Sequence, residues 1–343
     1  MKKSLLALAV LGAFAGVASA QSSVTLFGTL DLNGRYVKND GSKARYSLSQ
    51  DGINSSQLGF KGSEDLGGGL KAGFVLIAGV NADTGSTNSQ FFNRSAYGQL
   101  MGGFGEVRLG RDYTPTFWNN TIFDAFGTNG LGGSNNVKQI AAPDYVRANN
   151  AISYFLPGGI GGVYGQVMVA AGEGAAPGRY TGGRVGFAAG PFDIAGAYSE
   201  ERIAAGTYKT ANIGGAYDFG MVKVMGYWNQ EKILSAKDNV YSVTAVVPIG
   251  QGEIHAGYSY GKLTDTGVSN KVDQIALGYV YNLSKRTALY TNVSRLSNGS
   301  MSASSLGSVG ISTVGVGGSG SATAAPTFGG KSQGAEFGLR HFF

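Results

Sequence analysis

The 343-residue chain has no cysteine and only two histidines, which excludes thiolate nucleophiles, zinc–thiolate sites and any disulfide framework. Imidazole chemistry could draw on His255 and His341 alone, too few for a metal-ligand set, and no phosphate-loop motif follows the turn Gly67-Gly68-Gly69. Charge is scarce as well: 14% of residues are charged, against roughly 25% in soluble domains. After Ala20 no apolar run reaches the ~18 residues that a membrane helix needs, so a helical transporter is not expected. What is abundant is glycine, at 58 residues, together with 18 Tyr and 18 Phe. The glycines follow no Gly-X-Y period, which excludes collagen, and an apolar share of 43% excludes global disorder. The balance describes a β-rich chain with little charge to spend on a solvated exterior.

The first twenty residues form a separate unit. Lys2 and Lys3 precede the apolar run Leu5–Val17, and Ala18-Ser19-Ala20 supplies the small residues of a cleavage site. The pattern predicts a cleaved secretory signal over residues 1–20 and a single mature domain over 21–343. Taking Lys2 and Lys3 from the 27 basic residues, against 21 acidic ones, leaves a net charge of +4. No compact Lys/Arg cluster accompanies it, so nucleic acid is not an expected partner.

Beyond Gln21 the dominant signal is period-two alternation. Val24, Leu26, Leu30 and Leu32 alternate with Thr25, Phe27, Asp31 and Asn33, and Phe337, Leu339 and His341 oppose Glu336, Gly338 and Arg340. Seven short turns, such as Gly102–Gly105 and Pro248–Gly252, take turns with eight long connections. The long ones are expected at Lys38–Asn54, Asn81–Phe92, Thr114–Asn149, Ala171–Tyr180, Glu200–Gly206, Glu231–Asp238, Lys262–Asn270 and Ser297–Lys331. Fifteen connections imply sixteen strands. In hydrocarbon every backbone amide must be paired, so a spanning β structure has to close on itself. The predicted fold is all-β: a 16-stranded antiparallel transmembrane barrel, with long extracellular loops and short periplasmic turns.

Sixteen strands enclose a lumen too wide for side chains to fill, so water enters. The third long connection, 114–149, is the expected constriction. It carries Phe117, Trp118, Phe123, Phe126 and Tyr145, more aromatics than a solvated loop needs, along with Asp124, Lys138, Asp144 and Arg147. The last connection, nearly all Ser, Gly, Ala and Thr, reads as exposed and mobile.

Six blocks in order, QSSVTLFG (Gln21–Gly28), LGGGLKAGF (Leu66–Phe74), FGEVRLGR (Phe104–Arg111), RANNAISY (Arg147–Tyr154), ALGYVYNLSKRTALY (Ala276–Tyr290) and GLRHFF (Gly338–Phe343), resemble the general diffusion porins of Gram-negative bacteria, most closely the betaproteobacterial trimeric type. The resemblance implies a homotrimer in the outer membrane, in contact with its lipid and lipopolysaccharide. It also implies passive diffusion of ions and small hydrophilic solutes, and no cofactor. Terminal Phe343 resembles the signal read by the outer-membrane insertion machinery, and 81–92 is the candidate latch between subunits.

The resemblance places Arg94 and Arg147 near the narrowest point. Strand parity adds Arg35, Lys61 and Arg108 as lumen groups, with Asp31, Glu106 and loop Asp124 opposing them. Arg94 shares phase with Ala96 and Leu100, so either a bulge re-aims it or it lies above the membrane band. Gln57 and Ile77 stand where relatives commonly carry an arginine and an acid. Charge rings select the permeant ion, and the excess of arginine points to a weak anion preference. The alternative is a substrate-specific channel for sugar or phosphate. An enzyme is not expected.

Overall fold

The computed structural model describes residues 23–140, 146–174, 177–306 and 325–343. The expected signal segment 1–20, Asp144, Tyr145 and most of the last long connection lie outside the described residues. Eighteen strand segments follow one another. They are β1 (Ser23–Asn39), β2 (Arg45–Gln50), β3 (Gln57–Gly67), β4 (Leu70–Asn81), β5 (Ser86–Thr87) and β6 (Ser95–Gly102). Next come β7 (Gly105–Tyr113), β8 (Arg147–Phe155), β9 (Val163–Ala170), β10 (Tyr180–Ala189), β11 (Phe192–Ile203) and β12 (Gly206–Asp218). The last are β13 (Lys223–Ile233), β14 (Ala236–Ile249), β15 (Gly252–Asp265), β16 (Val268–Asn282), β17 (Thr287–Asn298) and β18 (Lys331–Phe342).

Every pairing is antiparallel, most join sequence neighbours, β1 also pairs β3 and β4 pairs β6, and β18 returns to β1 with Thr29 opposite Phe342 and Asn39 opposite Ser332, which closes the cylinder. Two segments are not staves of their own. The two-residue β5 only bridges to the end of β4. Strand β2 pairs with Leu32–Val37 of β1 while β3 pairs with Ser23–Thr29. Together β2 and β3 make one stave, interrupted by an excursion at 51–56, and sixteen staves result. Among the described residues no barrel edge is left unpaired, as lipid requires.

Burial is inverted relative to a water-soluble domain. Val243, Ile275 and Phe337 are 60%, 61% and 63% exposed, whereas Asn33, Asn229 and Gln274 are 1% or less. Along β12 the alternation is strict: Tyr208, Thr210, Asn212, Gly214 and Ala216 are buried, and Ile213 and Tyr217 are open. The apolar set faces outward to hydrocarbon and the polar set faces the interior.

The third connection occupies that interior. Thr114 accepts the amide of Phe117 at 3.3 Å and Pro115 opens the first turn, so a short helix α1 (Pro115–Ile122) begins where β7 ends. Asn119 and Asn120 then bond inward-facing Asn212 and Asn229 at 2.9 and 3.0 Å. Phe123 and Leu131 join Val37, Tyr227, Val240, Val272 and Leu296 in an apolar cluster inside the wall. At Gly261 a side chain would meet the Val137 carbonyl at 2.2 Å, so only glycine lets this segment lie so close to β15.

Three expected long connections prove short. Strands β11–β12, β13–β14 and β15–β16 continue to two-residue turns, with Ile203 paired to Gly206, Ile233 to Ala236 and Asp265 to Val268. Their inner face explains the extension: Tyr208, Ala236 and Leu263 are buried with Ile140 of the third connection. The expected loop 38–54 likewise contains β2. The described start of the last connection is exposed at Ser300 and Met301 but then turns inward: Ser305 bonds Asn39 at 2.9 Å, and Leu306 is buried in the inner cluster.

Candidate functional site: the pore lining

At the end of β7 the register shifts between Gly110 and Asp112, and this irregularity brings Tyr113 opposite Arg147 at the start of β8. The Arg147 guanidinium lies over the Tyr113 ring, 4.2 Å from its centroid, and donates to the Tyr113 hydroxyl at 2.7 Å. Arg94 donates to the same hydroxyl at 2.7 Å and to the Gln57 side chain at 2.8 Å. Arg94 precedes β6, with its amide bonded to the Ile77 carbonyl, so it sits at the connection rather than in strand phase. Tyr113 is in turn stacked on Phe117 and tilted against Trp118, with centroids 5.6 and 5.5 Å away. Two cations are thus held against an aromatic platform that the third connection braces.

Beside them opens a cavity of about 500 Å³, lined among others by Tyr97, Arg108, Asp112, Trp118, Tyr164 and Arg184. Arg108 bonds Glu106 and Asp112, each at 2.7 Å, and lies over the rings of Phe155 and Tyr97 at 4.1 and 4.7 Å. Arg184 lies over the Tyr164 ring at 4.7 Å. Ile77 also lines this space, so the wall there is apolar.

The remaining expected groups have other employment. Arg35 is paired with Glu336 at 2.9 Å. Lys61 lies over the Phe27 ring at 5.2 Å, near the short-turn end. Asp31 faces inward but is fully covered: its carboxylate accepts the amides of Gly52, Ile53 and Asn54 at 3.2, 2.9 and 2.7 Å, and the Tyr290 hydroxyl as well. It pins the 51–56 excursion. Asp124 accepts the amides of Phe126, Thr128 and Ser134, and so shapes its own loop. Burial nevertheless pushes its carboxyl above the ordinary range. Phe343 is joined to Gly28 by reciprocal backbone bonds of 3.0 and 3.1 Å.

Other inward acids, not singled out by sequence, act the same way. Glu336 accepts the Leu131 amide and Asn292, Asp238 accepts the Gln139 amide at 2.6 Å, and Glu231 is paired with Lys138 at 2.6 Å. Acids therefore fasten the two inward segments to the wall. Among the described residues, no ion pair involves Arg94, Arg147 or Arg184, and the Nε of Arg147 and of Arg184 has no acceptor. Sequence reasoning missed Arg184, although its phase with Gly182 and Gly186, against Val185 and Phe187, marks it as inward.

A closed barrel with lipid-facing walls, a polar interior and a loop folded within it defines a membrane channel protein. The Gram-negative porin family model matches residues 7–300, and the chain belongs to that family. It is 39% identical to an outer membrane porin protein of Delftia acidovorans, the alignment covering 100% of both chains, and 30% identical to one of Bordetella pertussis over 84% of this chain and 93% of that one. Among solved structures, an anion-selective porin from Comamonas acidovorans superposes with a TM-score of 0.81 at 35% identity, covering 94% of this chain and 100% of that one. Vibrio cholerae OmpT, at 13% identity and a TM-score of 0.67, shares the fold.

Proposed function

We propose that the protein forms a water-filled outer-membrane channel for passive diffusion of ions and small hydrophilic solutes, with a preference for anions. One observation carries the preference: Arg94 and Arg147 converge on a neutral hydroxyl, while the surrounding carboxylates are covered or paired. In a narrow channel with low-dielectric walls, charge without a partner sets the local potential, and charge already neutralised contributes little. The anion selectivity of the Comamonas relative supports the same sign. Segment 114–149 is the constriction, because its aromatic residues narrow the lumen on the side where the arginines stand.

The working unit is a homotrimer. The outward face of β3, β4 and β6 is apolar, with the small residues Ala72, Ala96 and Gly98 beside Phe60, Phe74 and Leu76, a surface that a neighbouring barrel wall can cover. The chain acts as a channel rather than an enzyme, reaches the periplasm by a cleaved segment 1–20, and presents Phe343 to the insertion machinery. Stepwise current from purified protein in a planar bilayer, with bi-ionic reversal potentials, tests the reading. Saturable block by a sugar or by phosphate would instead indicate a substrate-specific channel.

A further inference from the structure

Trp118 is 40% exposed although it belongs to the connection folded inside the barrel. Its indole is tilted against Tyr113, with centroids 5.5 Å apart, and borders the cavity of about 500 Å³ beside the constriction. Ile77, Tyr97, Phe155 and Tyr164 border the same space. Apolar surface gathered in one place and left open to water marks a groove that takes a ligand, and hydrated ions alone have no use for it.

The charges around this cavity are unevenly employed. Arg108 is bonded to Glu106 and to Asp112, each at 2.7 Å. Asp112 also accepts the Tyr113 amide at 2.8 Å, so the carboxylate that lines the cavity is committed to its own wall. Arg184 is the second lining cation. It lies over the Tyr164 ring at 4.7 Å, makes no ion pair among the described residues, and has an Nε without an acceptor. Asp193, on the neighbouring stave, takes the Tyr164 hydroxyl rather than Arg184. A guanidinium in that state gains from a carboxylate, which its fork of N–H groups can hold by two parallel bonds.

The two features together select a solute. A hydrated halide would use Arg184 but gain nothing from Trp118 and Ile77. A sugar would need free acceptors as well as ring faces, and the lining carboxylate is already bonded. A flat ring that bears one carboxylate uses both halves, and the volume lies within the ~300–1,000 Å³ of small-molecule clefts. We propose that the cavity is a resting site for monovalent aromatic carboxylates passing through the channel, the ring on Trp118 beside Ile77 and the carboxylate on Arg184. This site rests on the anion-conducting reading of the pore and adds to it a class of solute held by its ring as well as by its charge.

The test is block of single-channel current in KCl by millimolar benzoate, with cyclohexanecarboxylate, acetate and benzyl alcohol for comparison. Benzoate should reduce the current saturably, at a half-blocking concentration about tenfold or more below those of acetate and benzyl alcohol. Cyclohexanecarboxylate, which has the charge and the bulk but no ring face, should need severalfold more than benzoate. Trp118→Leu should raise the benzoate value about tenfold and leave that of acetate in place, and Arg184→Gln should raise it similarly and leave that of benzyl alcohol in place. Equal block by acetate or by cyclohexanecarboxylate, or unchanged benzoate block in both variants, would overturn the site. The zero-current potential in plain KCl, recorded on the same membranes, separates the two readings. Anion preference without ring-dependent block overturns this site alone, whereas cation preference overturns the function on which it rests. Should Trp118→Leu fail to fold, Trp228→Phe alters only an outer-wall residue bonded to Asn239 and leaves Trp118 as the sole indole. Saturable quenching of its fluorescence by 4-nitrobenzoate then supports the site, and quenching that rises only linearly refutes it.

Discussion

Arg94 and Arg147, 53 positions apart in the chain, both donate to the hydroxyl of Tyr113 at 2.7 Å. Two like charges meet on one neutral atom beside ring faces, and neither makes an ion pair with a carboxylate among the described residues. Their mutual repulsion is offset by the Tyr113 ring under Arg147 and by the Gln57 side chain under Arg94. The pair is the clearest source of positive potential in the lumen.

Replacing Arg147 by Gln should lower the chloride-to-potassium permeability ratio, and the double change with Arg94→Gln should bring it to unity or below. Tyr113→Phe keeps both charges and should retain the sign of selectivity, with a smaller ratio because the arginines lose their shared acceptor. Reversal potentials of the three variants check the order.

The excursion 51–56 hangs on Asp31, whose carboxylate takes three consecutive amides. Asp31→Asn retains one acceptor oxygen and leaves at least one buried amide without a partner. That should cost about 1–3 kcal/mol of native stability. The temperature at which the folded band converts to the unfolded band on electrophoresis should fall, and open-channel current noise should rise as the excursion loosens.

Asp51, in the same excursion, has its carboxyl pushed by burial from 3.8 up to about 6, although the Ser56 amide and Arg94 pull it down. A raised folded value means that the native state holds its proton more tightly than the unfolded chain does, so between the two values stability falls as pH rises. The same protonation acts on selectivity. Above about pH 6 the ionised carboxylate offsets Arg94; below it the offset is lost and anion preference should increase. Titrating the reversal potential from pH 7.5 to about 5 should show this step, and Asp51→Asn should hold the higher value throughout.

Gly261 admits the Val137 carbonyl, and Ala there would place a methyl at 2.2 Å from it. Gly261→Ala should displace the returning limb of the third connection without opening the barrel. The expected signature is unchanged heat-modifiability within a few degrees, together with altered single-channel conductance and frequent brief closures. Conductance equal to the parent would show that the limb does not bear on the passage.

The sixteen staves and their inward and outward faces could be read from alternation, because a strand's facing repeats every two residues, and the inward path of the described part of the third connection from its aromatics Phe117, Trp118, Phe123 and Phe126. The extents of β11–β16 could not. Their outer ends bear Glu200, Lys209, Lys232 and Lys262, charges that resemble loops, while the decisive partners Tyr208 and Leu263 meet Ile140 only in three dimensions. Lumen arginines were legible where phase was followed, and Arg184 shows the cost of not following it along β10. The role of the acids was hidden for a different reason. Parity places Asp31 and Glu336 inside, but it says nothing of the amides of Gly52 and Leu131 that they capture, the latter 205 residues away. Which inward charges stay available to a passing ion depends on those distant partners.

Acids of the inner wall fasten loops, and arginines at the constriction are left to act on ions. The zero-current potential of the unmodified protein across a planar bilayer, under a KCl gradient at pH 7.5, tests it directly. The potential should have the sign set by chloride passing more readily than potassium and should diminish in the Arg94→Gln, Arg147→Gln double variant. A potential of the opposite sign in the unmodified protein would contradict it.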